Sequence, residues 1–170
     1  MPPALADRPE PTDADHNKFF KIAFDLPVES DDWPPVAYES LWATKTGSRL
    51  HPRVQNIPFF VMGVAFHDEI LVRPDHGRRE LVYERVVSPS GHSTIRIMLM
   101  TDDVRPTVEQ ILDRCGCPWE VALHNLVAVD IPSDVDYSAL CSELLELHAG
   151  GQIGIQESAL APAHAGQTGE

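Results

Sequence analysis

The sequence predicts an α+β protein: a small antiparallel β-barrel or half-barrel over residues 17–90, followed by a ferredoxin-like βαββαβ half over residues 91–158. Two observations carry this reading. From Phe19 to Val87 the apolar residues repeat with a period of two, in short runs broken by Pro, Gly, Asp and Asn. From Ser93 onward such runs alternate with two stretches of helical period, in the order strand, helix, strand, strand, helix, strand. The change of regime falls within Ser88-Pro-Ser-Gly-His-Ser-Thr-Ile-Arg-Ile-Met-Leu-Met100.

Residues 1–16 hold four prolines and no periodicity, which predicts a disordered tail; residues 159–170, rich in Ala and Gly, predict another. The first strand runs from Phe19 to Leu26, with Phe20, Ile22, Phe24 and Leu26 on one face and Lys21 and Asp25 on the other. Glu29-Ser-Asp-Asp-Trp-Pro-Pro35 is a turn, because paired prolines cannot donate to a ladder. Val36 to Thr44 is a second strand, in which Trp42 is expected to be core. Lys45-Thr-Gly47 is a hairpin turn, and Leu50 to Val54 is a weaker strand that Pro52 marks as an edge. Beyond the aromatic corner Asn56-Ile-Pro-Phe-Phe60, the runs Val61–Phe66, Glu69–Arg73 and Glu80–Val87 bring the total to five or six strands.

In the second half, Thr94 to Met100 is a strand with Ile95, Ile97 and Leu99 on one face. Thr107-Val-Glu-Gln110 has the form of a capping box, followed by Val108, Ile111, Leu112 and Cys115 at helical spacing and by Gly116 as a left-handed stop. Trp119–Leu123 and Leu126–Ile131 form a strand pair across His124-Asn125. A second helix, capped by Asp134 or Asp136, buries Leu140, Leu144 and Leu147 and ends at Gly150-Gly151. Ile153 to Ser158 is the last strand.

The chain has 13 basic and 26 acidic residues, a formal net charge of −13. Residues 16–90 are nearly neutral, with ten acids and nine bases, whereas residues 91–156 carry ten acids against Arg96, Arg105 and Arg114 alone. No lysine or arginine follows Arg114. Nucleic-acid binding needs a basic footprint that displaces counterions from phosphates, and this half has the opposite. No apolar run approaches the roughly 20 residues of a membrane-spanning helix. The N-terminus lacks the basic start and apolar stretch of a secretory signal, and three cysteines without framework spacing fit a reducing compartment; both point to the cytoplasm.

Few side chains form a pattern that carries chemistry. Ser88, Ser90, His92 and Ser93 look catalytic, yet a nucleophile needs a base and an orienting group that sequence neighbours rarely supply, and no nucleophile-elbow motif is present. A bend relieved by Gly91 is the better account. Cys115, Cys117 and His124 could hold a soft metal, but Cys115 belongs to an apolar stripe, so buried thiols are expected and no metal. His67-Asp68 resembles an acid–base pair and stands where a small barrel has a polar turn. Asp130, Asp134 and Asp136 lack the glycine that a calcium loop requires. Among the aromatics, Trp33, Phe59 and Phe60 are the candidate partner anchors.

Taken together, Trp33-Pro-Pro35, Glu39-Ser-Leu-Trp42, Asn56-Ile-Pro-Phe-Phe60, Ser90-Gly-His-Ser-Thr94, Gly116-Cys117 and Val127-Ala-Val-Asp-Ile-Pro132 resemble a bacterial family known as domain of unknown function 4265, over about residues 17–158. Members often have a Gly-Asp turn at the place of His67-Asp68, which weakens a special role for His67. The resemblance implies a small bacterial cytoplasmic protein of similar architecture and brings no activity, cofactor or catalytic residue.

The expectation is therefore a non-enzymatic acidic protein, immunity-type or regulatory, that recognises a partner protein with a basic surface and needs no cofactor. The alternative is an enzyme or small-ligand module with a site in the groove between the halves, using His92, Ser93, Arg96 and Glu84. A third reading is ligand sensing across a homodimer of ferredoxin-like sheets, because the last strand can leave an open edge.

Overall fold

The computed structural model describes residues 18–167, and the chain divides into two compact units, with the change between Ser90 and Gly91. The tail expected over residues 1–16 lies outside the described residues.

The first unit is a closed five-stranded barrel of β1 (Phe19–Asp25), β2 (Tyr38–Thr44), β3 (Arg53–Val54), β4 (Glu69–Asp75) and β5 (Glu80–Ser88). Successive strands pair antiparallel, and β5 closes on β1 in parallel through Ile22 opposite Leu81 and Ala23 opposite Val82. Two register shifts in the β4–β5 ladder, between Glu69 and Ile70 and between Leu71 and Val72, supply curvature that a barrel of so few strands needs. Period-two alternation sends Ile22, Phe24, Leu41, Ala43, Ile70 and Val72 inward. Each large aliphatic side chain buried this way contributes about 1.5–3 kcal/mol.

Three expectations for this unit are corrected. Trp42 is not core: its alternation partners Leu41 and Ala43 take the inward positions, so its ring is half-buried, with the Lys21 ammonium 4.9 Å from the ring centroid. Leu50–Val54 shrinks to two strand residues, although the Leu50 and Pro52 carbonyls still accept from the Val72 and Ile70 amides at 3.1 and 3.0 Å. Val61–Phe66 forms no strand; it bends, and Val61 and Val64 fill the barrel.

The second unit is a four-stranded sheet in the order β7-β8-β6-β9, formed by β6 (Ser93–Leu99), β7 (Trp119–Ala122), β8 (Leu126–Ile131) and β9 (Ile153–Ala159). Neighbouring strands are antiparallel throughout. Helix α1 (Arg105–Cys115) follows β6, and α2 (Tyr137–Ala149) follows β8. Val108, Ile111 and Leu112 of α1 and Leu140 and Leu144 of α2 join Ile95, Ile97, Val127 and Val129 in one core, so both helices cover the same face of the sheet. Gly116 ends α1 in the left-handed conformation at φ 74°, and Asp136 caps α2 by accepting the Ala139 amide at 3.0 Å.

The capping box at Thr107 does not form. A 3₁₀ turn, Asp102–Val104, leads directly into α1, which starts at Arg105 with Pro106 in its first turn, a place where proline's fixed φ is an asset. The disordered tail expected over residues 159–170 is also corrected. Ala161 and His164 are buried, and Pro162–Ala165 form a turn of helix, α3. Residues 168–170 lie outside the described residues.

Candidate functional site

Just before the change of unit, Asp68 organises the end of the barrel chain. Its buried carboxylate accepts the Ala65 amide at 2.9 Å and the Ser90 amide at 2.8 Å, while the Ser90 hydroxyl donates to the Phe66 carbonyl at 2.7 Å. His67, at φ 68°, stacks on Phe66 with ring centroids 3.9 Å apart. His67-Asp68 is thus a loop clamp. Gly91 adopts φ 91°, which a side chain disfavours, and a Cβ there would lie 3.4 Å from the Ser133 Cβ. The bend expected at this glycine is present.

Beyond it, alternation along β6 separates the residues that looked catalytic. Ser93 falls on the helix-covered face with Ile95 and Ile97, whereas Arg96 falls on the other. The Ser93 hydroxyl lies 2.6 Å from Nδ1 of His164 and accepts the Ala161 amide at 2.8 Å; Ser93 and His164 are both fully buried. His92 Nδ1 lies 2.8 Å from the buried Asp130 carboxylate. Burial pushes the Asp130 carboxyl up, and the hydrogen bond and charge of His92 oppose the shift. The Arg96 guanidinium donates to Gln156. Glu84 belongs to the barrel unit, where it is exposed 3.6 Å from Arg73.

Within the C-terminal unit, His92 thus meets Asp130, Ser93 meets His164 and Arg96 meets Gln156, while Glu84 belongs to the barrel unit beside Arg73. Ser93 and His164 do make a hydroxyl–imidazole pair, but a nucleophile that is 0% exposed and already accepts a backbone amide is held as a structural group.

The aromatic corner is organised from within. Glu39, on the inward side of β2, accepts the amides of Phe59, Phe60 and Val61 at 2.7, 2.9 and 3.1 Å. Asn56 Oδ1 accepts the Trp42 amide at 2.6 Å. The loop wraps a carboxylate, and Phe59 and Phe60 are each only 3% exposed, which overturns their reading as partner anchors. Trp33 is half-buried, edge-on to Phe60 at 5.4 Å.

Cys115, Cys117 and His124 form no metal site: no group of three His, Cys, Asp or Glu among the described residues could hold an ion. Cys117 is buried, and desolvation pushes its thiol up to about 12; Cys115 and Cys141 are raised less and are half-buried. A thiol raised this way stays protonated at neutral pH and is a poor nucleophile. Iodoacetamide at pH 8 is expected to alkylate Cys117 last of the three, as read by peptide mass spectrometry on the folded chain. Cys117 reacting first would contradict its burial.

The charges of the barrel are less evenly spread than their near-neutral sum. A cavity of about 890 Å³ opens at one end of the barrel, and its lining includes Lys21, Lys45, Arg49 and Arg79 against the single carboxylate of Glu80. Counting charges along the chain cannot reveal this, because these residues come from three separate segments.

Comparison with known proteins adds a family and a fold. No curated protein matches the chain. A crystal structure of a hypothetical protein from Neisseria gonorrhoeae superposes with a TM-score of 0.69 at 19% identity, over 83% of this chain and 94% of that one, a likeness of fold alone. A family model described as a domain of unknown function matches residues 39–155, from Glu39 on β2 to Ile155 on β9. That span is well over half of the chain and includes the Glu39 carboxylate, the loop that wraps it and the His92–Asp130 pair; the chain belongs to the DUF4265 family.

Proposed function

We propose that this is a non-catalytic, acidic binding protein, immunity-type or regulatory, whose C-terminal unit recognises a partner protein with a basic surface. One observation carries the reading: the few cations of that unit are spent internally. Arg105 pairs with Glu109 at 2.7 Å, Arg114 with Glu143, and buried Arg96 donates to Gln156. Asp102, Asp103, Asp134 and Glu146 are exposed and belong to no ion pair among the described residues. A field of one sign steers an oppositely charged partner and weakens with salt.

The test is retention of partners from a lysate of the source organism at low and high salt. The expected result is a basic protein held at low salt, released at high salt, and lost from a variant carrying Asp102→Asn, Asp103→Asn, Asp134→Asn and Glu146→Gln. Equal retention by that variant, or no retained protein at either salt, overturns the reading.

We propose further that the C-terminal unit is ferredoxin-like and that the protein is a bacterial, cytoplasmic one. The order β6-α1-β7-β8-α2-β9 and the antiparallel strand order β7-β8-β6-β9 support reading the C-terminal unit as ferredoxin-like. Three free thiols support a reducing, cytoplasmic setting, and the Neisseria structure supports a bacterial one. Strand β9 lies at one end of its sheet, which supports a homodimer across that edge. Small-ligand binding is the second reading, and the cavity at the barrel end is the observation that favours it.

A further inference from the structure

We infer that the open end of the barrel is a binding site for a small amphipathic anion, an acidic head group on an aromatic or alkyl body. The cavity of about 890 Å³ lies within the size range of small-molecule sites. Its apolar wall is made by Phe20, Leu50, Pro52, Val72 and Leu81, where the inward faces of the strands run out toward solvent. Its rim carries Lys45, Arg49 and Arg79.

Those three cations differ from Arg53, Arg73 and Arg78 of the same unit. Arg53 pairs with Glu69, Arg73 with Asp75 and Glu84, and Arg78 with Asp25 and Glu80. Lys45, Arg49 and Arg79 join no ion pair among the described residues, and the one rim carboxylate, Glu80, is engaged by Arg78 at 3.0 Å. A neighbouring recess of about 380 Å³, lined by Lys18 and Lys45, extends the same cationic end. In a chain of net charge −13, one cavity wall thus gathers three cations that have no ion-pair partner among the described residues, beside an apolar surface. An anion restores the charge balance while its body covers the wall; an uncharged apolar molecule would desolvate the cations without compensation.

The backbone is shaped at the same place. Leu50 and Arg79 both adopt left-handed φ, 66° and 55°, and both line the cavity. Neither is a glycine, so each position costs conformational energy that the surrounding structure must hold. The Leu50 carbonyl is tied to the Val72 amide at 3.1 Å, and the Thr46 hydroxyl donates to the His51 carbonyl at 2.7 Å, bracing the segment that presents Arg49.

The site is independent of the acidic surface of the C-terminal unit and is tested separately. The full chain is titrated with 8-anilinonaphthalene-1-sulfonate and with its uncharged analogue N-phenyl-1-naphthylamine, both read by fluorescence. The sulfonate is expected to bind more tightly than the neutral probe, and Arg49→Glu with Arg79→Glu to weaken it by about tenfold or more. Arg85→Glu, the same kind of charge change on a β5 residue outside the cavity, is expected to leave affinity within about twofold. Circular dichroism monitors folding, and the milder Lys45→Gln, expected to weaken binding about threefold, stands in if the double variant does not fold. Displacement by laurate or by 1-naphthyl phosphate, but not by inorganic phosphate, supports the site and tells a carboxylate head from a phosphate one. Equal affinity in wild type and rim variants, a neutral probe that binds as well as the sulfonate, or displacement by inorganic phosphate alone overturns it.

Discussion

Glu39→Ala is expected to destabilise the barrel by about 3–5 kcal/mol. The substitution leaves the amides of Phe59, Phe60 and Val61 without the carboxylate they share, in a place where Glu39 is only 5% exposed. Each unsatisfied buried donor costs about 1–3 kcal/mol, and partial relaxation of the loop keeps the total below the simple sum. For a chain of this size the loss lowers the melting temperature by about 10 °C. Glu39→Gln keeps the volume and one carbonyl oxygen but turns an NH₂ toward an N–H donor, so about half of that loss is expected. Differential scanning calorimetry on the two variants makes the measurement. A Glu39→Ala protein that melts within about 2 °C of wild type would mean that the loop finds other partners for its amides.

His164→Ala is expected to cost about 2–4 kcal/mol in the C-terminal unit, mainly through the cavity left by a fully buried ring. The ring centroid lies 5.5 Å from that of Tyr137, and Nδ1 lies 2.6 Å from the Ser93 hydroxyl. The other nitrogen, Nε2, is buried and has no hydrogen-bond partner among the described residues. His164→Phe restores the ring volume and removes that unpartnered nitrogen, so it is expected to recover most of the loss. Recovery by Phe marks His164 as a packing residue; a variant as unstable as His164→Ala would assign the stability to the imidazole hydrogen bond instead. Ending the chain at Leu160 is expected to cost more than either. It also removes the Ala161 amide that donates to Ser93 and the Gln167 side-chain oxygen Oε1 that accepts the Tyr137 amide at the start of α2.

Both residues show where sequence reading stops. Val36–Thr44 reads as a strand, and β2 is there, but its alternation alone does not say which face is inward. A tryptophan in the run invites the wrong choice, whereas the barrel interior takes Glu39, Leu41 and Ala43. The Asn56–Phe60 corner is visible as a motif, but its reason is a carboxylate about 20 residues earlier in the chain. His164 sits in a stretch rich in Ala and Gly with no apolar period, so nothing local marks its burial. In the same way, the cationic rim comes from residues scattered over Lys45–Arg79, and its charge vanishes into a neutral total when counted in order.

What the sequence by itself determined is the mixed α+β class, the strand-rich first half, the two helices and their stops, the bend at Gly91 and the uneven charge. These follow from interactions within a few residues of each other: side-chain period, proline and glycine geometry, and capping chemistry. Only the tertiary structure decided where the polar groups go. His92 meets Asp130 across 38 residues and Ser93 meets His164 across 71, and the barrel closes by pairing its first strand with its fifth. A hydrogen bond between distant segments leaves no periodic trace in the chain, so the buried pairs and the cationic rim became visible only once the strands had brought them together.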